Sequence, residues 1–310
     1  MLVPISPQEI MALPLGEPLP YSVFDANGRL LMRKGLVISM PSQREKMADS
    51  ELFRNPREDA AGAEAKERIK SEEQTPFDTV DGIATVLRTL FNVVREGGAE
   101  RMKIINFPMR IQRLAGQLSA ACEKSPETAI AAAHLDYSNP YSVTHHITVA
   151  VICDLLGRAE KLSDEKRLSL VCAALTHDLS ILELADGNAP AEGVKEMVNS
   201  HPETTVKLLQ SVETKDVLWL NAVWRHHERL DGSGYPRGVT GENLNPVARI
   251  LAIADVYSGM TRPRPYRDKA FLPQNAMREI FLGKEQLYDD RMVQVLIKTL
   301  GLVPPGCWSS

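Results

Sequence analysis

Residues Trp224–Pro236 read WRHHERLDGSGYP, Val247–Thr261 read VARILAIADVYSGMT, and Arg264–Arg267 read RPYR. Apolar residues recur at helical spacing through the second segment, where Asp255 is the only charge between Arg249 and Arg262. The first segment sets His226 and His227 side by side ahead of a loop containing Gly232 and Gly234. Upstream, LVCAALTHDLSILEL (Leu170–Leu184) embeds His177 and Asp178 in another apolar, helix-like run. A carboxylate withdrawn from water is costly unless it is paired or bound to a metal. Repeating that cost at Asp178 and Asp255, with histidines nearby, points to a metal site inside a helical bundle.

The helical pattern extends over most of the chain. Val80, Ile83, Ala84, Leu87, Leu90, Phe91 and Val94 recur at three- and four-residue spacing. Ser125-Pro126, Asn139-Pro140 and His201-Pro202 read as helix starts, and Gly157 as the end of the helix that begins near Pro140. No alternating strand pattern follows residue 77. The expected fold class is mainly α, with an all-helical bundle over 77–310. Residues 1–58 read instead as a small α+β module, a packing or dimerisation unit or a ligand sensor. There Tyr21–Phe24 and Arg29–Met32 flank the turn Asp25-Ala26-Asn27-Gly28, Leu36–Ile38 reads as a third strand, and a helix starts near Pro41. Between the two, 59–76 is rich in Ala, Glu and Lys and reads as a polar linker.

Composition sets outer limits. With 310 residues, 44% hydrophobic and 25% charged, the chain has the balance of a soluble globular protein of about two domains. A net charge of −4 gives no electrostatic case for long nucleic acid. No signal peptide or membrane-length apolar run is read, and Cys122, Cys153, Cys172 and Cys307 are scattered without a Cys-x-x-Cys pair. These features fit reduced thiols in a cytoplasm.

Periodicity directs His145 inward more firmly than His146, because His145 shares a face with Val149, Ile152 and Leu156. Single inward histidines are ordinary core residues. Five of them (His145, His177, His201, His226, His227) with Asp178 and Asp255 are not. Imidazole and carboxylate without thiolate suit iron, manganese, nickel or zinc in an open site. The donors exceed what one metal needs, so two metals bridged by an aspartate are expected, a pair suited to phosphoryl displacement.

At this point the chain resembles a family. His177-Asp178 is similar to the signature of HD-superfamily phosphohydrolases, and HHERLDGSGYP to that of the HD-GYP branch. The resemblance runs from about Asp136 to the C-terminus, through Tyr141, His145, His201-Pro202, Asp255 and RPYR. It implies a helical bundle that hydrolyses cyclic di-GMP to pGpG or GMP, with a metal-bridging hydroxide as nucleophile and commonly iron at the site. Carried over, it implies that His145, His177, Asp178 and Asp255 hold one metal, and that Asp178, as catalytic bridge, reaches a second held by His201, His226 and His227. It further implies that Arg264 and Arg267 grip the substrate, and that the loop Gly234-Tyr235-Pro236 shapes the pocket mouth or docks diguanylate cyclase (GGDEF) domains.

The chain also departs from the family pattern. His-Asp-x-Gly-Lys becomes His177-Asp178-Leu179-Ser180-Ile181, which removes a phosphate-gripping lysine. Thr205 replaces the glycine usual after His-Pro-x-x, and Asp178 to His201 is shorter than usual, so the pocket wall should differ. Tyr141 stands where trinuclear members carry a Glu ligand, so two metals are expected. Three readings remain: a cyclic di-GMP phosphodiesterase of altered kinetics, a non-catalytic module that binds cyclic di-GMP or a cyclase domain, or a hydrolase of another nucleotide.

Overall fold

The computed structural model describes residues 2–32, 34–36, 38, 41–55, 75–188, 192–264, 270–283 and 287–307. The chain divides into two compact units, Met1–Gln74 and Thr75–Ser310. The linker expected over 59–76 lies outside the described residues except for Thr75 and Pro76, which already begin a helix.

The first unit contains β1 (Val3–Ile5), α1 (Pro7–Met11), β2 (Val23–Phe24), β3 (Leu30–Met32), α2 (Pro41–Ala48) and β4 (Leu52–Arg54). Its antiparallel sheet has the order β1-β4-β2-β3. The β2–β3 hairpin forms where the Asn-Gly signal placed it: Gly28 has φ 78°, and the Asp25 carboxylate accepts from the amides of Asn27 (2.9 Å) and Arg29 (2.8 Å). Neither Leu36 nor Ile38, the described ends of the expected third strand, lies in the sheet. The carbonyls of Leu36 and Ile38 accept from the amides of Leu19 and Gly16 (2.7 Å each), outside the sheet. The strands that do join the hairpin's neighbour, β1 and β4, have three residues each, too few to show an alternation.

In the second unit the helices are α3 (Pro76–Ile104), α4 (Phe107–Lys124), α5 (Pro126–Leu135), α6 (Tyr141–Ala159), α7 (Asp164–Ala174), α8 (Leu182–Ala185), α9 (Val194–Ser211), α10 (Val217–Arg225), α11 (Pro246–Thr261), α12 (Pro273–Leu282) and α13 (Asp290–Leu300). Thr75 and Asp78 form a capping box at the start of α3, and its stripe from Val80 to Phe91 is buried. The axis of the bundle is α6, buried continuously from Ser142 to Gly157 and packed by α4, α5, α7, α11 and α13. Its first turn is capped from a distance: the Asp186 carboxylate accepts from the Ser142 amide (2.7 Å) and hydroxyl (2.8 Å), and Arg95 pairs with Asp186.

Three local expectations change. Gly157 does not end α6, because it sits inside the bundle where a Cβ would meet Arg167 Cγ at 3.3 Å. His201-Pro202 does not start a helix, since Pro202 lies inside α9. His177 and Asp178 lie beyond α7, in a turn that leads into a 3₁₀ turn at Leu179–Ile181. Among the described residues, only Asp164–Ala185 combines length (22 residues) with high mean hydropathy (1.5), and 67% of its most apolar window is buried inside the protein.

Candidate metal centre

Helix ends supply the key imidazoles. The last carbonyls of a helix lack intrahelical partners, so they can accept from a side chain. His177 Nδ1 donates to the carbonyl of Ala174, the last residue of α7 (2.8 Å), and His226 Nδ1 donates to Val223 near the end of α10 (2.6 Å). His201 achieves the same inside a helix. Pro202 has no N–H for the Val198 carbonyl four residues back, so His201 Nδ1 donates to it instead, at 2.6 Å. That is why a proline follows this histidine. Because a carbonyl can only accept, each of these Nδ1 atoms carries a proton, and each Nε2 is turned to the centre, with a lone pair wherever the imidazole is neutral.

Those lone pairs converge. His145 Nε2 and His177 Nε2 lie 3.2 Å apart, and His201 Nε2 and His226 Nε2 lie 3.1 Å apart. His145 is held from α11, its Nδ1 2.9 Å from Ser258 Oγ. Asp178 sits between the two pairs: Oδ1 is 3.0 Å from His201 Nε2 and 3.7 Å from His226 Nε2, while Oδ2 is 3.6 Å from His177 Nε2 and 4.0 Å from His145 Nε2. Asp255 completes one side, with Oδ1 3.1 Å from His145 Nε2 and Oδ2 3.8 Å from His227 Nδ1. Donor atoms of His145, His177 and Asp178 form one group within 4.8 Å, and those of Asp178, His201, His226 and His227 form another. Asp178 belongs to both. Neutral imidazoles facing each other at hydrogen-bond distance repel unless a proton or a metal cation lies between them, and this donor set fits metal.

The electrostatics agree. Burial raises the pKa of a carboxyl, yet the imidazoles around Asp178 (His177, then His201) and around Asp255 (His145, then His177) hold both acids well below the usual range. Burial alone would depress His177, but the carboxylates of Asp178 and Asp255 overcome it and push the imidazole up to about 9. Burial depresses His145 and His226, and it drives His227 well below the usual range. The cluster therefore attracts positive charge at one focus while keeping most imidazoles neutral, as ligation requires.

The loop after His227 folds back on it. Tyr235 N donates to the His227 carbonyl (3.1 Å), and the Tyr235 ring packs 4.7 Å from the His227 ring and 6.3 Å from that of His201. Gly232 takes φ 76°, as a tight loop expects. Gly234 does not take a positive φ. A glycine is required there for space, since a Cβ would lie 2.5 Å from the His227 carbonyl oxygen. Glu228, which sequence reasoning passed over as one charge among several, closes the loop: it is 4% exposed and accepts from the amides of Arg237 (2.8 Å) and Val239 (2.9 Å). On the outer side of Tyr235 and Pro236, a cleft of about 1080 Å³ opens against the first turns of α9.

Every histidine and aspartate singled out in the sequence as a ligand therefore lies in one cluster. Arg264 stands beside it, its guanidinium 5.4 Å from the centre of the Tyr141 ring, which stacks on His145 at 5.1 Å and 11°. Arg267 lies outside the described residues. The expected contrast between His145 and His146 does not hold, because α6 is surrounded and has no outward face. His146 is fully buried, with Nδ1 2.5 Å from the Ser142 carbonyl and its ring 4.5 Å from that of His177.

A family model for the HD domain matches residues 112–292, more than half the chain. This chain belongs to the HD domain family. The HD-GYP signature at His226–Pro236 lies within the matched span. The HD-domain chain is 27% identical over 198 residues to a cyclic di-GMP phosphodiesterase of Pseudomonas aeruginosa, covering 62% of this chain and 47% of that one. It is 32% identical over 178 residues to the 3'3'-cGAMP-specific phosphodiesterase 3 of Vibrio cholerae, covering 55% of this chain and 38% of that one. It thus spans less than half the length of either relative. Among solved structures, the HDG"Y"P protein Bd1817 of Bdellovibrio bacteriovorus superposes with a TM-score of 0.59 at 15% identity, over 97% of this chain and 99% of that one. That likeness bears on the fold alone.

Proposed function

We propose that this HD-domain chain is a metal-dependent phosphodiesterase that hydrolyses cyclic di-GMP to linear pGpG, or onward to GMP. One observation carries the reading: a single carboxylate, Asp178, has one oxygen facing His201 and His226 and the other facing His145 and His177. A carboxylate so placed can bridge two metals. The names of the relatives from Pseudomonas aeruginosa and Vibrio cholerae support a cyclic dinucleotide as substrate. His145, His177, Asp178 and Asp255 would hold one first-row metal, and Asp178, His201, His226 and His227 a second, with iron or manganese the best match to these donors. When bound, such a pair supplies Lewis acidity and an acidified water at neutral pH.

The chain's own residues would do the rest. The helix-end carbonyls fix the imidazole tautomers, and Tyr235 covers His227 and limits water on that side. Arg264 is poised beside Tyr141 to meet a phosphate or a guanine edge, a role that Arg267 would share. A second reading is a signalling module that binds the dinucleotide, or a GGDEF domain at Gly234-Tyr235-Pro236, without turnover. Ile181 favours it, since the 3₁₀ turn there offers an apolar side chain where a cation would grip phosphate.

The test is anaerobic assay of the full chain, supplied with iron or manganese, against cyclic di-GMP and 3'3'-cGAMP. Expected are about two metals per chain and hydrolysis of cyclic di-GMP, with both lost in Asp178→Ala. A fully metallated wild type that binds cyclic di-GMP without cleaving it replaces the enzyme reading with the second one. Preferential cleavage of 3'3'-cGAMP reassigns the substrate.

A further inference from the structure

Ser180 and Thr205, remote from each other in sequence, meet beside the centre. Thr205 is fully buried and Ser180 half-buried. The Ser180 amide donates to Thr205 Oγ1 (3.3 Å), the two hydroxyl oxygens lie 2.9 Å apart, and Ser180 Oγ donates to the carbonyl of His201 (3.1 Å). The protons have one consistent arrangement. Ser180 Oγ spends its hydrogen on His201, so Thr205 Oγ1 donates to Ser180 Oγ and in turn accepts the Ser180 amide. The result is a closed ring in which each hydroxyl both gives and receives.

We propose that Ser180 and Thr205 are positioning residues: a two-hydroxyl clamp that sets the spacing of Asp178 and His201 and thereby raises metal affinity. Ser180 lies two residues past Asp178, in a turn closed by the Ile181 amide on the Asp178 carbonyl (2.9 Å). Thr205 lies one helical turn past His201, on the same face of α9. The clamp therefore joins the two backbones whose side chains meet at 3.0 Å between Asp178 Oδ1 and His201 Nε2. It acts beside a break in the α9 ladder, where Pro202 cannot donate and the Val198 carbonyl is given to His201 Nδ1. It also accounts jointly for two departures from the family pattern, at positions 180 and 205, as one feature rather than two.

The proposal rests on the metal reading of the centre, and one experiment separates them. Metal-stripped full-length protein is titrated with Mn(II) alone, and its melting temperature is recorded before metal is added. Thr205→Val, which keeps the shape and loses the hydroxyl, should weaken Mn(II) binding about 10-fold or more, as loss of an outer-shell partner does. Thr205→Ser, which keeps the hydroxyl, should retain affinity. Ser180→Ala should weaken it as well, and the double variant Ser180→Ala/Thr205→Val should be no weaker than the worse single, because either change opens the ring. Ser169→Ala removes a buried-edge hydroxyl bond of 2.6 Å to Asp216, away from the centre, and should lower the melting temperature while leaving affinity unchanged. Wild-type affinity in Thr205→Val, or equal loss in Thr205→Ser, overturns the clamp and leaves the metal reading intact. If Thr205→Val does not fold, wild-type affinity in Ser180→Ala decides against the clamp in the same way. A wild type that takes up no Mn(II) overturns both.

Discussion

Asp154 and Asp178 are both carboxylates held among apolar helices, and their surroundings are opposite in kind. Asp154, on α6, has no exposed side-chain surface and is neutralised by the protein itself: Arg158 Nε at 2.7 Å, Arg167 Nε at 3.1 Å and Ser119 Oγ at 2.6 Å. Among the described residues Asp178 is faced by imidazoles, and the three anchored on carbonyls spend Nδ1 on the backbone and turn Nε2 toward it. A buried acid that the chain supplies with guanidinium belongs to the architecture. A buried acid surrounded by imidazoles rather than guanidinium is arranged for a cation from outside. The comparison separates structural from functional polarity without reference to any relative.

Crossing the two substitutions gives the largest expected effect. Asp178→Ala should abolish turnover and metal uptake while the protein stays folded. Asp154→Ala should leave Arg158 and Arg167 facing each other, cost about 3–5 kcal/mol of stability, and keep the metals in whatever fraction stays folded. Thermal melts with metal analysis check both, and metal loss in folded Asp154→Ala would dissolve the distinction. Chelation extends it. Ligand bound only to the native state adds about 2.7 kcal/mol at a hundred times its Kd, so removing metal should lower the melting temperature of wild type and leave that of Asp178→Ala unmoved.

The loop should respond next. Gly234→Ala drives a Cβ to within 2.5 Å of the His227 carbonyl, and the resulting shift should cost about 1–3 kcal/mol and disturb the Tyr235–His227 contact. The check is a fall in kcat with metal content retained. Smallest is Ile181→Lys, which should raise kcat/KM by up to about tenfold if the new ammonium reaches a phosphate. With the clamp in place, adding Ser180→Gly should diminish that gain by leaving Thr205 without its partner. A larger gain in the double variant would show that Ser180 serves no positioning purpose.

Much of the bundle was legible because its signals are local. Pro126 behind Ser125 and the stripe from Val80 to Phe91 each act within a turn or two of chain. The hairpin at Asn27-Gly28 is local too. What was misread depends on distant neighbours. Periodicity points His146 inward less firmly than His145, yet it is as buried, because helices pack α6 on every side. Pro202 reads as a helix start, yet α9 runs through it because His201 takes over the carbonyl that the proline leaves free. The strands β1 and β4 are invisible alone, since β1 pairs with β4 about fifty residues away and β4 also with β2, about thirty away.

By itself, then, the sequence determined the donor types, the helical class, the family resemblance and the altered motif at Ser180-Ile181, all of which are properties of residues in order. Only the tertiary structure decided that one carboxylate serves two groups of imidazoles, which ring nitrogen each anchored histidine offers, that Asp154 is neutralised and Asp178 is not, and that Ser180 meets Thr205. The physical reason is that tautomers, shared carboxylates and charge compensation are fixed by atoms within about 3–4 Å in space, and such neighbours come from helices whose order in the chain does not state which ends will meet.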